Sequence, residues 1–74
     1  MKIAKGQILL VNHHRSDKWK GIAARDFDTE TEEFYPIALA EEKPVRGLAR
    51  ETIWEMGDIM PCRNTLCKIT IVNQ

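Results

Sequence analysis

The stretch Lys18-Trp19-Lys20-Gly21-Ile22-Ala23-Ala24-Arg25-Asp26-Phe27, followed closely by Glu32-Glu33-Phe34-Tyr35-Pro36-Ile37-Ala38-Leu39, decides how this chain folds. Both segments hold the aromatic and β-branched residues that fit a pleated surface. Asp28-Thr29-Glu30-Thr31 between them suits a four-residue hairpin loop. With Phe27 opposite Glu32, Ile22 faces Ile37 and Ala24 faces Tyr35, which makes one coherent inward face. The other face then gathers Trp19, Arg25, Phe27 and Phe34, with Arg25 directly across from Phe34. That register puts three rings in water.

Working outward, Lys5 to Asn12 reads as a first strand, apolar on both sides over Ile8-Leu9-Leu10-Val11 and therefore central in its sheet. His13-His14-Arg15-Ser16-Asp17 reads as a polar turn with both imidazoles in solvent. After Leu39, Val45, Leu48, Ala49, Thr52 and Ile53 fit one face of a short helix within 44–54, although Gly47 weakens it and an ordered loop would serve as well. Gly57-Asp58 turns into a fourth strand, Asp58 to Arg63, and Leu66 to Asn73 makes a fifth. A hairpin there sets Cys62 against Cys67 and Met60 against Ile69, with Met60, Cys62, Cys67, Ile69 and Ile71 on one face. The expectation is a single domain over residues 1–74, mainly β: a small five-stranded antiparallel barrel of the oligonucleotide/oligosaccharide-binding (OB) kind. A short helix would lie between strands three and four, and an SH3-like barrel is the structural alternative.

Size and charge narrow the functions. A chain of 74 residues buries a thin core, and net stability of roughly 3–5 kcal/mol leaves little to hold a strained active site. Eleven acids balance eleven bases, but unevenly along the chain. Residues 1–25 carry net +5, residues 26–42 carry −7 with no base, and residues 43–74 carry +2. Two cysteines make no disulfide framework. The run Ile8 to Val11 is too short for a signal segment or a membrane span, so the expected location is the cytoplasm.

The order Lys5-Gly6-Gln7-Ile8, Asn12, Lys20-Gly21-Ile22, Glu33-Phe34-Tyr35-Pro36-Ile37 and Glu55-Met56-Gly57-Asp58 resembles cold-shock domains. The resemblance implies a five-stranded barrel that binds single-stranded RNA or DNA through strands two and three. Lys20, Phe34 and Tyr35 match its binding positions. Ile22-Ala23-Ala24 stands where the family carries aromatics, and Pro36 stands near the place of its histidine.

Independently of that resemblance, Trp19, Phe27 and Phe34 beside Lys18, Lys20 and Arg25 form the candidate site. Bases stack on rings at about 1–3 kcal/mol each, and cations neutralise phosphates. The expected function is therefore single-stranded nucleic-acid binding, with RNA favoured. The alternative is a protein-interaction module, a small regulatory or inhibitory protein of bacterial or phage origin. Its anchors would be Trp19 and Phe34, with the acidic hairpin giving orientation. The residues hold no nucleophile elbow or phosphate-cradling glycine loop, so no enzyme is expected. No cofactor or metal is expected either. Thr31 and Ile37 stand where a calcium loop needs glycine and glutamate, and Cys62-x4-Cys67 is wider than a zinc knuckle.

Overall fold

The computed structural model describes residues 1–14, 18–41, 55–60 and 62–72. Its strands are β1 (Lys2–Ile3), β2 (Ile8–His13), β3 (Trp19–Ala23), β4 (Phe27–Asp28), β5 (Phe34–Tyr35), β6 (Ile37–Leu39), β7 (Cys62–Arg63) and β8 (Cys67–Ile71). The chain is mainly antiparallel β, as the alternation requires. Among the described residues the strands form a four-stranded sheet ordered β6-β3-β2-β8 and two-stranded ladders β1-β4 and β5-β7, and they do not close into a barrel. The expected helix lies in residues 44–54, outside the described residues.

Strand β2 is central, flanked by β3 and β8, which explains its apolar residues on both faces. It starts at Ile8 rather than Lys5 because Gly6 takes φ 88°, a left-handed turn open to glycine, and its N–H reaches Ala23 O at 2.9 Å. Pro36 splits the third expected strand into β5 and β6. Arg63 opposite Phe34, Cys62 opposite Tyr35 and Ile59 opposite Ala38 share one register along β5 and β6. The core takes Ile3, Leu9, Val11, Trp19, Ala23, Phe27, Tyr35, Ile37, Leu39, Met60, Cys62 and Cys67, with Ile69 and Ile71 packed against it. The inward face expected from Met60 through Ile71 is present, but its partners differ: β7 pairs with β5, and β8 with β2.

The pairing of β3 with the next strand is displaced by one residue from the expected register. Gly21 faces Leu39, Ile22 faces Ala38 and Ala23 faces Ile37. A one-place slip exchanges the faces of a strand, so Trp19, Gly21 and Ala23 point inward while Lys20, Ile22 and Ala24 point outward. The cause lies in the connection. Phe27 leaves β3 to pair with Ile3 in the β1-β4 ladder instead of facing Glu32. The tight turn at 28–32 is closed by the N–H groups of Thr31 and Glu32 on Asp28 O (3.2 and 3.0 Å). It connects β4 to β5, not β3 to β6.

Candidate interaction surface

The structure does not bring the expected site together. Trp19 is 1% exposed and Phe27 5%, both in the core. Phe27 lies against Tyr35, ring centroids 5.3 Å apart. Neither ring can stack on a ligand while the fold is intact, and this corrects the expected aromatic platform. Phe34 is exposed, but its cross-strand partner is Arg63, whose guanidinium sits 4.9 Å from the ring centroid. Arg25 instead holds Glu32 Oε1 at 3.0 Å. Lys18 and Lys20 are exposed. His13 is a further correction: it is buried and stacks on exposed His14 at 4.8 Å between centroids.

The acidic block is largely engaged within the chain. Asp28 Oδ1 accepts from Glu30 N–H (2.9 Å) and from the Met1 ammonium (3.2 Å), which also lies 3.9 Å from Glu30 Oε2. Glu33 pairs with Arg63 at 3.8 Å. The Glu30 amide, then the ammonium and Lys2, hold the Asp28 carboxyl below its ordinary value against partial desolvation. A depressed carboxyl stabilises the fold above its unfolded pKa of about 3.9 and loses that contribution as pH falls through the folded value. Asp28→Asn is therefore expected to lower Tm at neutral pH and to converge with wild type in acid, once pH has fallen below the folded value. Parallel Tm–pH curves in a thermal melt series would show that this carboxylate does not matter.

The register places a different feature on the surface. Outward residues of adjacent strands line up into one row: Val72, Ile8, Ile22, Ala38 and Ile59. Val72 N–H donates to Ile8 O (3.0 Å), and Ile8–Ile22, Ile22–Ala38 and Ala38–Ile59 are cross-strand partners. Ile59 is 56% exposed and neighbouring Met56 58%. Leu10 and Lys20, partners on β2 and β3, form the next row. Ile8, Lys20, Ile22, Ala38, Met56 and Gly57 are among the residues lining a hollow of about 440 Å³ on this face. Gly57 N–H donates to Leu39 O (2.8 Å), which fixes the 55–58 turn at the rim. Small Ala38 and Ala40 leave the floor low between taller isoleucines. Such a surface can seat an apolar side chain, with the Lys20 ammonium beside it.

What fold and surface define is a small antiparallel β domain with an apolar outer sheet face. Comparison of the chain with protein-family models, with curated proteins and with solved structures found no match. Among the described residues no helix is long and apolar enough to cross a membrane. The outer row is absent from the register expected from sequence, which turns Ile22 toward the core. The parity of Lys18 and Lys20 could have found it, since lysines two and four places before Ile22 share its face and are seldom buried.

Proposed function

We propose that this chain is a protein-interaction module that docks its partner on the outer face of the sheet. One observation carries the reading: five apolar residues in neighbouring extended segments form an unbroken row on the outer face, with Ile22 and Ile59 exposed and Val72, Ile8 and Ala38 half-buried. Exposed apolar patches rimmed by polar residues mark interaction sites, since leaving them in water forgoes about 25 cal/mol per Å². Ile22 is central in the row and flanked on both sides, the position where truncation is most costly. The strand order favours the SH3-like alternative over the OB-like barrel, because β2, β3, β6 and the Ile59 bridge are neighbours in chain order and β8 lies beside the central β2. Single-stranded nucleic-acid binding is the competing proposal. Its support is reduced to Phe34 with Arg63, Lys18 and Lys20.

The test is affinity purification from nuclease-treated extract with wild type, Ile59→Glu and Ile22→Glu. Wild type is expected to retain a stoichiometric protein partner, and both variants to bind it at least about tenfold more weakly, the usual loss at an interface centre. Thermal melts should show Ile59→Glu within about 0.5 kcal/mol of wild type, as for other exposed positions. Ile22→Glu should lose no more than about 1 kcal/mol, the span of strand preference. Unchanged partner binding in both variants would reject this face. Binding to labelled single-stranded oligonucleotide that Phe34→Ala abolishes and Ile59→Glu leaves intact would favour the competing reading.

A further inference from the structure

Cys62 and Cys67 are the two cysteines of the chain, and both are buried in the core as free thiols. They flank the turn Arg63–Leu66, where Leu66 N–H donates to Arg63 O (3.0 Å). Cys62 is the cross-strand partner of Tyr35, and Cys67 that of buried His13. The turn is pinned on both sides by Asn64 N–H on Glu33 O (2.9 Å) and His14 N–H on Leu66 O (3.2 Å).

Their placement in the fold is unusual. Cys62 belongs to the β5-β7 ladder and Cys67 to the four-stranded sheet, and among the described residues no ladder joins the two. The two side chains nevertheless enter one core cluster from the two ends of the four-residue turn, and their thiols interact there. That interaction holds Cys67 below its ordinary thiol value despite desolvation and, with burial, pushes Cys62 up. One sulfur is thus disposed to attack and the other to resolve.

We propose that Cys62 and Cys67 are a thiol–disulfide couple whose oxidant is a small disulfide of the glutathione class, and that closing the bond staples the two sheets together. Opening of the exposed 63–66 turn admits the oxidant. The Cys67 thiolate attacks one sulfur of the small disulfide and expels the other as a thiolate. The Cys62 thiol gives its proton to that thiolate, and its sulfur attacks Cys67 Sγ and expels the second thiolate, which takes a proton from water. Two electrons pass from the cysteine pair to the oxidant, which leaves as two thiols. The bond closes a short loop and so restricts the unfolded chain.

The experiment treats reduced, folded protein with oxidised glutathione and follows intact mass, maleimide uptake and thermal melting. The expected product is monomeric and about 2 Da lighter, having lost two hydrogens. It takes up no maleimide after unfolding, melts about 5–10 °C higher, and reverts with dithiothreitol. Cys62→Ser is expected to stop as a glutathione adduct on Cys67, and Cys62→Ala serves if serine unfolds the core. Lasting glutathione adducts on wild type, interchain dimers, or two thiols still labelled after treatment would overturn the proposal.

Discussion

Gly21→Ala is expected to destabilise the domain by about 3 kcal/mol, the upper end of the usual overpacking range. Added at Gly21, a Cβ would run into Ile37 Cγ2, lie 2.9 Å from Trp19 Cζ3 and come within 3.1 Å of Ala38 O. None of these atoms has room to retreat. The Ile37 methyl sits on a branched Cβ in a fully buried residue, the indole is locked in the core, and the carbonyl belongs to the backbone of β6. For a domain of this size a loss of about 3 kcal/mol approaches the whole stability. Urea denaturation at 25 °C should show a population substantially unfolded without denaturant. A midpoint equal to wild type would mean that β3 does not press on β6 as described.

Trp19→Ala is expected to cost more still, about 3–5 kcal/mol, because it empties the largest buried side chain of the core. Trp19→Phe should be far milder. The indole Nε1 is buried and finds no acceptor among the described residues, and an unmatched buried donor costs about 1–3 kcal/mol. Phenylalanine loses ring volume but removes that donor, so the two changes offset and the net loss should stay within about 1 kcal/mol. Denaturant melts of both variants check this. If Trp19→Ala lost under 1 kcal/mol, the ring would be on the surface, and the outward platform would return as the better account.

These two substitutions test the same structural fact as the outer apolar row. The β3 register decides at once that Trp19 is core and that Ile22 is surface. A single slip would trade an aromatic, base-stacking face for an aliphatic, partner-docking one. Which residues this sheet offers to solvent therefore depends on one choice of parity.

That choice was partly legible. In the expected register Lys20 shares the inward face with Ile22 and Ala24, an uncompensated buried ammonium. The alternative parity buries Trp19, Gly21 and Ala23 and leaves both lysines outside. Glycine between two bulky inward neighbours also signals close approach of backbone, here by Ile37 and the Trp19 ring. The hairpin loop argued the other way, since Asp28 to Thr31 has good turn chemistry. That turn is real, yet it serves β4 and β5 because Phe27 pairs with Ile3. No local signal marks Lys2–Ile3 as a strand, for two residues carry no periodicity.

The amino-acid sequence by itself determined the antiparallel β character, the central place of Ile8 to Val11, and the common face of Met60, Cys62, Cys67, Ile69 and Ile71. The strand character and the faces shared within Met60–Cys62 and within Cys67–Ile71 follow from alternation along each segment, and the central place of Ile8 to Val11 from an apolar run on both faces, properties that local backbone geometry imposes. Only the tertiary structure decided which strand lies beside which, the parity of β3, and hence which residues meet solvent. Pairing joins residues far apart in the chain, and its outcome depends on how side-chain volumes such as Trp19, Gly21 and Ile37 fill a shared interior.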